Sequence, residues 1–295
     1  MKRLLILLFA VGLAVNGWAD SYRDALVKYL QQGKMVDPKE YEQMILPMAE
    51  LLYPDDAANG YKAFADYFSS QVMYDIADIF RPSFEKFVSE KELKKLSAAL
   101  RDPKIMEIQS RTNEIMDALK TSDEFTHFLE LYQLALKVIL YGGDMPDDIA
   151  RPDDVSEQYE LAFRNYYQTS GVGAIIESTF RYMADQLLTS LREMSENDPE
   201  PFVDKLVQYT NRNLPMVLMT VYSKAITLED LNTLETLNAT PAYQHAVEAL
   251  KDSYQNPMEI GIAVITRMAE WMHLHHPQYA APLQQQLHNL QLLLK

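Results

Sequence analysis

Ser89-Glu90-Lys91-Glu92-Leu93-Lys94-Lys95-Leu96-Ser97-Ala98-Ala99-Leu100-Arg101-Asp102-Pro103 is the stretch that decides the fold, because a degenerate copy of it returns 138 positions later, from Thr227 to Pro241. Both copies follow one grammar: a hydroxyl cap, a short amphipathic helix, a break and a second helix opened by proline. In the first, Ser89 and Glu92 form a capping-box pair, Leu93, Leu96 and Leu100 share a face, and Asp102-Pro103 restarts the chain. In the second, Thr227 and Asp230 take the capping places, Leu231, Leu234 and Leu237 the apolar face, and Thr240-Pro241 the restart. A side-chain oxygen at the N-cap satisfies an orphan backbone donor, and proline in the first turn loses nothing by lacking an N–H. Identity between the copies is low, yet caps and breaks keep register. The same offset extends upstream, pairing Phe64-Ala65-Asp66 with Phe202-Val203-Asp204. The pattern predicts an internal repeat.

Outward from these copies almost every segment has the 3.6-residue period, and none sustains the alternation of a strand. The expected fold is all-α, with two related multi-helix domains. Ser21 opens a helix closed at Gly33, and Asp37-Pro38 starts another that Pro54 stops, with a kink at Pro47. Tyr61 to Phe80 reads as one long aromatic helix with Phe64, Phe68, Val72, Ile76, Ile79 and Phe80 on its stripe. Ser122 caps a helix ended by Gly142-Gly143. Residues 143–155, rich in aspartate with Pro146 and Pro152, read as an acidic linker between a first domain at 20–142 and a second at 156–295. Further helices follow at Ser156–Gln168, Ala174–Met194, Pro199–Tyr222, Pro257–His275 and Pro277–Leu294.

Residues 1–19 have the form of a cleaved secretory signal: Lys2 and Arg3, an apolar run from Leu4 to Val15, and small residues at Gly17 and Ala19. The run is too short to span a bilayer comfortably, so no stable membrane anchor is expected. The expected location is periplasmic or secreted. The chain has 27 basic and 42 acidic residues, a net charge of −15 that becomes −17 once Lys2 and Arg3 leave with the leader. Such an imbalance argues against nucleic acid and anionic membranes as partners. With no cysteine, the exported chain depends on ordinary core burial rather than disulfides.

The run from Phe87 to Pro103 also resembles an exported bacterial family known as domain of unknown function twenty fifty-nine, and Ala225–Pro241 looks like a weaker second version. The family's hallmark is a hydroxyl residue, a Glu-Leu pair, an aromatic pair and Ser-Pro-x-Gly inside a small helical domain. This chain departs from it: Ala99-Leu100 and Leu237-Asn238 replace the aromatic pair, and Ile105 and Tyr243 stand where the family has glycine. The resemblance implies a helical fold and an exported location, and carries no activity.

The sequence contains no Gly-x-Ser-x-Gly elbow, phosphate loop or His-Glu-x-x-His, so no catalytic residue and no cofactor is assigned. The expectation is a non-catalytic binding or envelope-associated protein. Its partner would be an unknown protein or a small apolar ligand. Tyr61, Tyr67, Tyr74, Tyr166, Tyr167 and Tyr182, partly off the apolar stripes, are the candidate ligand or partner surface, since tyrosine suits a wet–dry boundary. The alternative is metal handling: Met268, Met272, His273 and His276 form a C-terminal cluster of the soft and imidazole ligands that copper or zinc accepts. Packing competes with that reading, because Met268 and Met272 continue a core stripe with Ile262 and Ile265.

Overall fold

Both capping boxes close as the spacing predicts. In this computed structural model, which describes residues 21–33, 47–119, 121–192, 200–255 and 257–293, the Glu92 N–H donates to the Ser89 hydroxyl and the Ser89 N–H to the Glu92 carboxylate. Thr227 and Asp230 make the same exchange at 3.1 and 2.9 Å. The caps start helices Glu90–Ala99 and Leu228–Asn238. The restarts at Asp102 and Thr240 open Pro103–Leu119 and Pro241–Ser253.

Among the described residues the fold is all-α, without a strand. In chain order the helices are α1 (21–32), α2 (47–52), α3 (Ala57–Ser70), α4 (Val72–Phe87), α5 (Glu90–Ala99), α6 (Pro103–Leu119) and α7 (Asp123–Tyr141). After an irregular segment come α8 (Glu157–Thr169), α9 (Val172–Arg192), α10 (Glu200–Ser223), α11 (Leu228–Asn238), α12 (Pro241–Ser253) and α13 (Pro257–His275). A 3-10 turn at Pro277–Tyr279 leads into α14 (Ala280–Leu293). No helix among the described residues is long and apolar enough to cross a membrane. The signal-like segment 1–19 and the expected helix start at Asp37-Pro38 lie outside the described residues.

The sequence expected one helix from Tyr61 to Phe80; the structure has two, α3 and α4, separated at Gln71. The Ser69 and Ser70 hydroxyls both donate to the Asp66 carbonyl, at 3.1 and 2.5 Å, competing with the backbone ladder just where α3 ends. The break is bridged by Asp75, which accepts from Gln71 Nε2 and the Tyr67 hydroxyl at 2.9 Å each. The expected inner leucine Leu237 is only half-buried. Asn238, 2% exposed, takes the inward place, because a face running 231, 234, 238 follows the helical period more closely. The last helix is preceded by the 3-10 turn, so it begins at Ala280 rather than Pro277.

The contacts divide the chain into two compact units: residues 1–100 with 256–295, and Arg101–Gln255. The acidic segment 143–155, expected as the linker between domains, lies inside the second. The division falls between α5 and α6, whereas α11 and α12 belong to one unit. In the first unit α13 packs on α3 and α4, around a core that includes Phe64, Phe84, Leu26, Leu30 and Leu93. Arg23 holds α1 to α4 by a two-pronged pair with Asp78, both bonds 2.7 Å.

The second unit is built around α10, which packs against α6, α7, α8 and α9. Its core includes Ala135, Ile139, Ala184, Leu206, Val207 and Tyr209. Pro215 sits inside α10. The carbonyl left without its helical donor is that of Asn211, an exposed residue, so the loss falls where water can replace it. Asp230, 6% exposed, bonds the Arg111 guanidinium of α6 at 2.9 Å while closing its own cap.

Candidate functional site

The end of α7 shapes a concavity in the second unit. Gly142, with φ of 83°, accepts the left-handed turn that stops α7 and swings the acidic segment across α10. Asn213, fully buried on α10, fastens that segment: its Oδ1 accepts the Ile149 N–H at 2.5 Å and its Nδ2 donates to Asp148 at 3.1 Å. Between helix and segment lies a groove of about 580 Å³. One wall is apolar, formed by Val138, Ile139 and Met145. The other is a ridge of Lys205, Gln208 and Arg212, which share one face of α10 at helical spacing.

Ile139 belongs to both the groove and the buried cluster around Tyr209. The Tyr209 hydroxyl is buried and has no hydrogen-bond partner among the described residues. Burial first, then the charge of Asp148, pushes its ionisation up. Arg212 lies 3.6 Å from Asp148. Lys205 has no carboxylate partner among the described residues. The lining therefore offers an aliphatic wall, a carboxamide and two cations. It can hold and orient a ligand.

The six tyrosines singled out from the sequence are not gathered on one face. Tyr61 is half-buried on α3. Tyr67 is fully buried, its hydroxyl bonded to Asp75 and its ring 5.6 Å from Trp271. Tyr74 is exposed, with the Arg23 guanidinium 5.0 Å over its ring. Tyr166 is buried against Tyr222 at 5.9 Å, and burial raises its ionisation well above the ordinary tyrosine value. Tyr167 stacks on Phe163 at 6.1 Å and is pushed up to about 12, by burial and then by Glu177. Tyr182 is half-buried on α9, with a buried hydroxyl that no described residue bonds. Tyr166 and Tyr167 share the aromatic set around Phe163; the others are dispersed.

The Met/His cluster is divided by the faces of α13. Met268 and Met272 are buried in the first unit's core, while His273 points to solvent. His276 follows the helix, lies 3.4 Å from Asp66 and rests 5.4 Å from the Trp271 ring. Among the described residues no three His, Cys, Asp or Glu side chains converge as metal ligands.

Sequence reasoning did not find the groove. The available signal was the spacing of Lys205, Gln208 and Arg212 on one helical face in a strongly acidic chain. Its apolar wall comes from some seventy residues away and has no local signature. No family model matches the chain, and no curated protein and no solved structure matches it.

Proposed function

We propose that this chain is an exported, non-catalytic binding protein whose ligand is small and largely apolar, seated in the groove between α7 and α10. The groove itself supports this. Its volume of about 580 Å³ falls within the roughly 300–1,000 Å³ of small-molecule sites, which pair apolar walls with a few placed polar groups. Val138, Ile139 and Met145 give hydrocarbon a surface on which burial gains about 25 cal/mol per Å². The two positive-φ glycines, Gly142 and Gly143, and the Asn213 clip hold the mouth in a defined shape, which lowers the ordering cost of binding. Export is supported by the basic, apolar and small-residue pattern of residues 1–19.

A neutral solvatochromic dye such as Nile red tests the reading. The parent chain should shift its emission to the blue in saturable fashion. Gln208 is exposed in the middle of the polar ridge, so Gln208→Trp should fill the groove and abolish the shift while leaving the melting temperature unchanged. A parent that leaves the dye in its aqueous state, or a tryptophan variant that binds it equally well, refutes the proposal.

A further inference from the structure

The two walls of the groove ask for different chemistry. On α10, Lys205 and Arg212 are seven residues apart, so about 10 Å of helix separates them, with Gln208 between on the same face. Two cations flanking one groove stand out in a chain of net charge −15. Their surroundings differ. The Arg212 charge is partly offset by Asp148 at 3.6 Å, and Asp148 is also held by Asn213 at 3.1 Å. Lys205 has no such offset among the described residues. Across the groove, Val138 continues along one face of α7 into Leu134 and Tyr141, which are 46% and 85% exposed. That makes an apolar ridge longer than the groove.

We infer that the ligand is a single-chain anionic amphiphile, a linear alkyl carboxylate, with its head between Lys205 and Arg212 and its tail along Val138, Ile139 and Met145. This rests on the binding reading above and adds the charge and shape of what binds. A neutral apolar molecule would cover the Lys205 ammonium and return no hydrogen bond, which costs free energy. A cationic one would meet like charge. A carboxylate head gains charge-assisted bonds, and the alkyl chain covers a wall that water otherwise wets.

Isothermal titration of the full chain with dodecanoate, dodecanol and dodecyltrimethylammonium, each below its micelle threshold, separates the possibilities. Dodecanoate should bind roughly tenfold tighter than dodecanol, and the ammonium compound weakest. Decanoate should bind roughly tenfold weaker than dodecanoate, following the loss of two methylenes. Lys205→Gln should erase most of the carboxylate's advantage, and Lys205→Arg should keep it. Asp148→Asn, which releases Arg212 while retaining an acceptor for Asn213, should increase the advantage severalfold. Raising the salt should reduce it. If dodecanol binds as well as dodecanoate, the anionic head is refuted while the groove reading survives. If neither binds the parent chain, both fall. Far-ultraviolet circular dichroism on each variant identifies a folding failure, and the Asp148→Asn result, opposite in sign to Lys205→Gln, decides in that case.

Discussion

Replacing Asp230 by alanine should destabilise the 101–255 unit by about 3 kcal/mol. Asp230 is 6% exposed, and its carboxylate accepts three hydrogen bonds: from the Thr227 N–H at 2.9 Å, the Thr227 hydroxyl at 2.7 Å and Arg111 Nη1 at 2.9 Å. At about 1 kcal/mol net for each bond, the sum is about 3 kcal/mol. Stranding the Arg111 guanidinium raises the cost, but that side chain is 29% exposed and water can reach it. For a unit of this size the melting temperature should fall by about 6–12 °C, read by circular dichroism or calorimetry. Arg111→Met in the Asp230→Ala background should recover part of the loss, because it removes a charge left with only the Ala225 carbonyl at 2.9 Å and the exposed Glu107 at 3.7 Å. Burial opposes ionisation of Asp230, but the bonds from Arg111 and Thr227 outweigh it and hold its carboxyl below the usual value. A depressed folded-state pKa stabilises the protein above the unfolded carboxyl's pKa, about 3.9, and that share is lost as the pH falls through the folded value. The gap between parent and Asp230→Ala should therefore narrow in acid. An Asp230→Ala variant that melts within 2 °C of the parent, or a gap that widens below about pH 4, would refute this account of the cap.

Two further outcomes follow from buried phenols. Tyr209→Phe removes a hydroxyl that no described residue bonds, so it should leave stability unchanged or raise it by up to about 1 kcal/mol in urea unfolding, and a large loss would reveal a hidden partner. Tyr53 and Tyr167 are both pushed up to about 12, each by burial first and then by a neighbour, Tyr279 and Glu177 respectively. Their raised values favour the neutral phenol, so the stabilisation is complete below about pH 10 and is lost as the pH rises through about 12. Absorbance of tyrosinate in a Tyr167→Phe variant should match the parent up to pH 11 and fall below it only beyond; a difference appearing near pH 10 would contradict the burial argument.

The capped starts were legible from sequence because capping is local chemistry: Ser89, Ser122, Thr227 and Thr240 each accept from a backbone donor three residues on, and spacing alone shows it. The break at Gln71 was hidden. Phe64, Val72, Ile76 and Phe80 keep the apolar rhythm straight through it, and only the paired serines before it compete with the ladder. Tyrosine was a poor guide to surface. Tyr67 and Tyr166 satisfy or shelter their hydroxyls inside the fold, so an amphipathic side chain off the expected stripe turned out to be core. The groove needed two helices some seventy residues apart to be brought side by side, a fact of tertiary packing that no window along the chain contains.

Asn213 gives the acidic segment an unusual property. Crowded with aspartate and bounded by glycine, residues 142–154 have the composition of a spacer, yet two bonds rivet them to a fully buried amide. A peptide-bond cut there would leave both fragments clasped around α10, which packs on helices from either side of the cut. The nicked protein would elute as a single species and come apart only in denaturant.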